Sequence, residues 1–345
     1  LLSTFRNDYA SSFNSYVASP NETGLEIAYE LGRRALNEGL NALDIASVHH
    51  EQLAMALAGI SDFQEVRRAA SAAAAFFCES LSTFEMTQRG YFEAQKMYER
   101  ERNTAEILQT SLLPQELAKI PGLEVEAFYR PGGMGYEVGG DFYDVFTPKD
   151  DEWGVLIGDV CGKGPKAAAM TALVRHTIKT AWLTESDPRR ILNLLNDAMN
   201  RYGSGDFCTI VLGTLRRLDL GFGLSLGCGG HPVPIFLHAS GEVEPLKCEG
   251  TLLGVLPDPV SILSEIQMET GDALVLYTDG VTEARMPDGF FGDERLVAVL
   301  EECRGADAAE IITAMTSALE KAEDGPRRDD MAILVLRVAE SVNAD

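Results

Sequence analysis

The stretch Glu137–Gly164, EVGGDFYDVFTPKDDEWGVLIGDVCGKG, constrains this chain more than any other. Two short apolar-aromatic runs, Phe142–Phe146 and Trp153–Ile157, flank the polar turn Thr147–Asp151, a pattern that predicts a β-hairpin. Gly139-Gly140-Asp141 enters the first strand, and Gly158-Asp159 leaves the second. A hairpin lays the start of its first strand beside the end of its second. Asp141 and Asp159 are therefore expected to meet at one sheet edge. Carboxylates held side by side repel unless a cation lies between them.

Composition sets the frame for that pair. A chain of 345 residues suggests two domains with ample length for a core. The formal charge of -24 argues against nucleic acid or an anionic membrane as partner, because Lys and Arg must supply the phosphate contacts. Six scattered cysteines (78, 161, 208, 228, 248, 303) without a C-x-x-C pair suggest free thiols in a reducing cytoplasm. No apolar run approaches the roughly 18 residues of a membrane helix, and no signal peptide is visible. The chain begins at Leu1 rather than Met, which leaves open an upstream segment.

From Leu1 to Leu113 the pattern is helical. Leu25, Ala28, Tyr29, Gly32, Leu36 and Leu40 recur at helical spacing after an Asn21-Glu22-Thr23 start signal. A further helix is expected over Leu43–Ala58, and Gly59–Asp62 reads as a break. No proline follows until Pro114, and the alanine-rich Ala69–Ala75 favours helix, so the last helix runs on as a long connector. A seven-residue column, Phe84, Tyr91, Tyr98, Ala105 and Leu112, marks it. The partner positions Gln88, Gln95, Arg102 and Gln109 are polar, so either a weak two-chain coiled coil or a helix packed along its own domain fits. His49 and His50 point about 100° apart on a helix, which suits exposed or core histidines better than a shared metal.

After Pro121-Gly122 the composition changes. Leu123–Tyr129 reads as a strand, and Pro131–Gly135 as a Gly-rich loop. Helices are expected over Ala167–Leu183 and Pro188–Tyr202, the latter with Ile191, Leu194, Leu195 and Met199 on one face. Strands follow at Phe207–Leu215, Gly223–Gly227, Pro234–Leu237, Gly241–Leu246, Ile262–Met268 and Asp272–Tyr277. Helices at Asp293–Cys303 and Ala308–Ala322 precede a last strand, Met331–Val338. Few strand links can hold a crossover helix, so mainly antiparallel sheets are expected.

Gly158–Gly164 fails the P-loop pattern, with three residues rather than four before Gly-Lys spacing. Gly162 and Gly164 would let backbone pass close to a metal or phosphate, and the helix beginning near Pro165 could lend its dipole to an anion. Asp279 ends a buried strand in a Thr-Asp-Gly turn, and Asp329-Asp330, beside Arg327-Arg328, precedes the last strand. Taken singly these are a turn-former and a solvated doublet. Their recurrence at strand edges points instead to a carboxylate site, and hard oxygens without convergent His or Cys suit Mg²⁺ or Mn²⁺. Cys161 lies among acids that disfavour its thiolate, and no serine sits on a G-x-S-x-G elbow. His231, in Gly230-His231-Pro232, reads as a general acid or as a structural turn residue.

In order, Gly139–Asp144, Gly158–Gly164, Gly230–Pro232, Leu253-Gly254-Val255, Tyr277–Glu283 and Asp329-Asp330 resemble the RsbU/SpoIIE branch of the metal-dependent PPM phosphatases. Leu108–Pro114 (LQTSLLP) matches the segment that precedes that catalytic domain, and the resemblance covers about residues 105–340. Ala28–Arg33, Gly39-Leu40 and His49-His50 resemble the helical regulatory domain of RsbU-type proteins. The resemblance implies an α+β protein: a PPM-phosphatase β-sandwich of two antiparallel sheets flanked by helices, preceded by an all-α bundle and a long helical connector. Its expected division is a regulatory domain over 1–87, a linker over 88–120 and a phosphatase domain over 121–345. It implies two Mn²⁺ or Mg²⁺ ions, with Asp159 between them, the Val160 carbonyl as a further ligand, Asp141 on one ion, and Asp279 and Asp329 on the other. Asp330 is expected to stand beside the ligands. Cys161 and Ala332 depart from the family's serine and threonine without removing a ligand.

The expected activity is hydrolysis of phosphoserine or phosphothreonine by metal-activated water. The implied substrate is a phosphorylated anti-anti-sigma (STAS) protein in a partner-switching pathway. The implied partners are an RsbT-type switch kinase at the helical domain and a second copy of the chain. The rival expectation is a non-catalytic PPM-fold module that sequesters a phosphorylated partner.

Overall fold

The computed structural model describes residues 2–133, 138–149, 151–203, 205–287, 289–322 and 329–339. Gly135, Glu137, Asp150, Arg327 and Arg328, which figure in the sequence patterns above, lie outside the described residues. The chain divides into two compact units, Leu1–Glu99 and Arg100–Asp345.

The first unit is helical, with α1 Leu2–Ala18, α2 Glu22–Asn37, α3 Ala42–Leu57 and the beginning of α4 Phe63–Leu112. Asn21 caps α2 by accepting from the Gly24 N–H, and Asn41 caps α3 through a reciprocal capping box with Asp44. Phe5, Tyr9 and Phe13 recur every four residues on α1 and are fully buried against Ala28, Ile45 and Phe76. Gly32 lets α2 approach α4 closely, since a Cβ there would overlap the Ser80 carbonyl. His49 is a core residue: it shares a 3.1 Å hydrogen bond with the Tyr9 hydroxyl and stacks on Phe77, while His50 is exposed.

The second unit is a sandwich. Its strands are β1 Leu123–Arg130, β2 Asp141–Lys149, β3 Glu152–Val160, β4 Cys208–Arg217, β5 Phe222–Gly229, β6 Ile235–Leu237, β7 Val243–Pro245, β8 Leu263–Met268, β9 Ala273–Tyr277, β10 Arg285–Met286, β11 Gly289–Phe290 and β12 Met331–Val338. Its helices are α5 Pro165–Trp182, α6 Pro188–Tyr202, α7 Asp279–Thr282, α8 Gly292–Glu301 and α9 Ala308–Ala322. One sheet runs β1-β12-β9-β6-β7, the other β2-β3-β4-β5-β8, and every described pairing within them is antiparallel.

Each sheet is covered on both faces. On β12, Ala332, Leu334 and Leu336 join the core between the sheets, whereas Met331, Ile333 and Val335 face the cluster beneath α8 and α9. The strand therefore reads as an unbroken apolar run rather than an alternation. On the other sheet, Val155 and Ile157 turn inward and Leu156 packs under α5 and α6. Antiparallel sheets face to face with helices outside are the expected architecture, and no described helix is long and apolar enough to cross a membrane.

Three local readings need correcting. The buried face of α6 is Ile191, Leu192, Leu195 and Met199, while Leu194 is 49% exposed. Asp279 begins a one-turn helix rather than a simple turn. The seven-residue column of α4 is not one seam. Phe84 packs on the helical core, Tyr91 and Tyr98 are exposed, and Ala105 and Leu112 are buried against Val138 and Ala168 of the second unit.

Candidate active site

The hairpin β2–β3 sets the geometry. Its register pairs Asp141 directly with Asp159, and the reversal passes through Asp151 in the left-handed region. The Val160 N–H donates to the Gly140 carbonyl at 3.2 Å, closing the edge. Gly140 is required here by close approach: a Cβ would overlap both the Val160 carbonyl and Asp159 Oδ1. Gly162 and Gly164 shape the loop that follows β3. Nothing crowds either, but both have positive φ (101° and 85°), so the loop into α5 depends on their backbone freedom.

The other sheet brings its acids to the same place. Thr278, fully buried at the end of β9, donates from its hydroxyl to Asp141 Oδ2 at 2.7 Å and accepts the Ala332 N–H at 2.9 Å. One side chain thus ties β2 to β12 and sets Asp279, the next residue, beside the pair. The start of β12 supplies Asp329, which is exposed, and Asp330, which is buried. Asp330 accepts the Gly132 N–H at 2.7 Å and the Gly140 N–H at 3.0 Å. Sequence reasoning assigned no role to Thr278 and only a bystander's place to Asp330. Gln109 was also missed: its side-chain oxygen on α4 accepts the Gly139 N–H at 2.6 Å.

The electrostatics are those of uncompensated carboxylates. Burial pushes Asp141 well above the ordinary carboxylate range, and the Asp159 charge pushes it further. Burial raises Asp159, with Asp279 and Asp329 adding to it; burial likewise raises Asp279 and Asp330. Lys163 reaches this cluster, 3.3 Å from Asp329. Cys161 is exposed, and partial desolvation followed by the Asp159 and Asp206 charges raises its thiol, away from a nucleophile's needs. His231 is buried, bonded through Nδ1 to Thr209 Oγ1 at 2.9 Å, and burial lowers it to about 3, so it stays neutral. A neutral, desolvated imidazole is poorly matched to the work of a general acid near pH 7.

Asp141, Asp159, Asp279 and Asp329 could hold divalent cations. Among the described residues no group of three or more His, Cys, Asp or Glu side chains is arranged as a ready-made metal site. The donor set nonetheless fits one: carboxylate oxygens, buried at Asp141 and open at Asp329, whose mutual repulsion a cation would relieve, with the Val160 carbonyl at the same edge.

The comparisons agree with this architecture. The family model for Stage II sporulation protein E (SpoIIE) matches residues 149–339, and that for the N-terminal domain of phosphoserine phosphatase RsbU matches residues 7–87. Phosphoserine phosphatase RsbU of Bacillus subtilis is 23% identical over 332 residues, spanning 95% of this chain and 96% of that protein. Protein IcfG of Synechocystis is 30% identical over 224 residues, 56% of this chain and 34% of that protein. The SiaA-PP2C domain of Pseudomonas aeruginosa shares the fold, with a TM-score of 0.58 and 23% identity over 71% of this chain and 98% of that one. With more than half of its length matched by the SpoIIE model and a catalytic sandwich of PPM type, the chain belongs to the SpoIIE family of metal-dependent protein phosphatases.

Proposed function

We propose that this phosphatase hydrolyses phosphoserine or phosphothreonine on a STAS-domain anti-anti-sigma protein, as part of a cytoplasmic partner-switching pathway. In this reading Asp141, Asp159, Asp279, Asp329 and the Val160 carbonyl hold two Mn²⁺ or Mg²⁺ ions. The observation that carries it is the direct pairing of Asp141 with Asp159 in an anionic cluster that lifts both carboxyls. When bound, such ions activate water and offset charge on the phosphoryl group.

The chain's own residues do the rest. Thr278 fixes the Asp141 carboxylate in orientation, and the β2–β3 register holds Asp159 against it. Lys163, between two left-handed glycines, carries a positive charge to the rim, where a dianionic phosphoryl group would arrive.

The STAS substrate is supported by likeness to RsbU along nearly the whole chain. The same likeness supports a regulatory domain over 1–87, a linker over 88–120 and a phosphatase domain over 121–345, with an RsbT-type kinase acting on the first. A homodimer would use the exposed Tyr91 and Tyr98 of α4, because Ala105 and Leu112 are already covered.

The test is phosphate release from a phosphoserine STAS protein by the full chain, with and without the switch kinase. Release in Mn²⁺, absent in EDTA and in Asp159→Asn, is expected. Release from unrelated phosphoproteins at equal rates would remove the STAS assignment, and release unaffected by Asp159→Asn would remove the site.

A further inference from the structure

We propose that Asp330 is a positioning residue whose carboxylate staples two separate backbone segments around the candidate metal site. Its side chain is 5% exposed. One oxygen accepts the Gly132 N–H and the other the Gly140 N–H, from segments 198 and 190 residues away in sequence. The Gly140 peptide is then gripped from both ends, because its carbonyl accepts the Val160 N–H. Asp141 leaves directly from that peptide, so its backbone position relative to Asp159 and Val160 depends on the Asp330 contact.

The surrounding glycines fit this role. A Cβ at Gly139 would overlap the Asp330 carboxylate, and one at Gly280 would overlap the Asp330 carbonyl. The motif glycines before Asp141 and after Asp279 thus leave room for the same residue. A carboxylate buried at this point carries a desolvation cost that a neutral side chain would avoid. In return it offers two acceptor oxygens to two N–H groups, and asparagine has only one oxygen to give.

This inference rests on the reading of Asp141 and Asp329 as ion ligands, and its test separates the two. Amide hydrogen exchange of the metal-free full chain, Mn²⁺ titration calorimetry and thermal melting would be compared for Asp330→Ala, Asp330→Asn, Asp141→Asn and Asp329→Asn. In Asp330→Ala the Gly132 and Gly140 amides should exchange at least about tenfold faster, as expected when a protecting acceptor is removed. Asp330→Asn should protect one of them only. Mn²⁺ affinity should fall about 10- to 100-fold in both, the usual loss for a residue behind the ligands, with the number of bound ions unchanged. Unchanged exchange at both amides would overturn the staple, as would loss of one bound ion, which would make Asp330 a ligand. If Asp330→Ala does not fold, the asparagine variant decides, and a melting point near wild type with weakened Mn²⁺ binding is the expected pattern. Unaltered Mn²⁺ binding in Asp141→Asn and Asp329→Asn would sink the ligand reading, while the exchange data would still judge the staple.

Discussion

Strand β2 carries two buried aspartates three residues apart, Asp141 and Asp144, and their surroundings are opposite in sign. Alternation sends them to opposite faces of the sheet. Asp144 faces α5, where Arg175 lies 2.8 Å away and Lys179, one turn later, 2.7 Å away. Arg175 also donates to the Leu112 carbonyl at the end of α4. Among the described residues Asp141 meets no cation of that kind; it has the Thr278 hydroxyl and the charges of Asp159, Asp330 and Asp279. Burial alone therefore does not separate a functional carboxylate from a structural one. The sign of the neighbours does. Asp144 is compensated by Arg175 and Lys179, whereas the charges around Asp141 among the described residues are of its own sign.

Substitutions should split the pair. Asp141→Asn should lower kcat by about 10²- to 10³-fold in saturating Mn²⁺, the scale for losing one electrostatic group at a reacting centre. Its urea midpoint in EDTA should stay at or above wild type, because a repulsive charge has gone. Asp144→Ala should do the reverse, costing about 3 kcal/mol of stability by leaving Arg175 in a half-dry site without its counterion. Urea unfolding of both variants, beside steady-state kinetics, checks the contrast. Similar stability losses in the two would erase it.

Acidity sharpens the same comparison. In EDTA the folded-state pKa values of Asp141 and Asp159 lie above those of the unfolded chain. Over that window the folded protein binds more protons than the unfolded one, so stability is highest near the unfolded carboxylate pKa and falls as pH rises. The slope should reach at most about 1.4 kcal/mol per pH unit for each proton held. Asp141→Asn should flatten it, and urea midpoints between pH 5 and pH 8 would measure the difference. A wild-type midpoint that rises over this range without metal would contradict the assignment of strain to the acidic cluster.

The legibility of the sequence follows the range of the interactions. The hairpin and its paired acids could be read because two apolar-aromatic runs, a polar turn and Gly-Asp junctions lie within 30 residues of one another. Helix α9 and strand β12 were legible over Ala308–Ala322 and Met331–Val338 because hydrophobic periodicity is a local signal. The face of α6 was misjudged between Leu192 and Leu194, since a run of leucines fits two helical stripes and only the strands beneath choose. The connector column failed for a similar reason: its last two members are covered by Val138 and Ala168. Thr278, Asp330 and Gln109 act through hydrogen bonds to positions distant in sequence, and no local pattern encodes such a bond. No local pattern encodes the Asp144 ion pairs either, because Arg175 lies 31 residues further along the chain.

The smallest expected effect concerns how the compensation of Asp144 is shared. Lys179 is 40% exposed at its side chain, against 13% for Arg175, and its ammonium lies 5.0 Å from the Phe146 ring centre. An ion pair open to water on one side contributes little, because solvent already screens the lysine. Lys179→Met keeps the aliphatic stem over Phe146 and removes only the charge, so it should cost about 1 kcal/mol or less. In an Asp144→Ala background the same change should cost nothing measurable, or stabilise slightly, since the lysine then has no partner there. A double-mutant cycle in urea reads the coupling directly. A coupling as large as the Asp144→Ala loss itself would mean that Lys179, not Arg175, carries the compensation. The distinction between the two aspartates would then rest on a half-exposed charge rather than on a buried guanidinium.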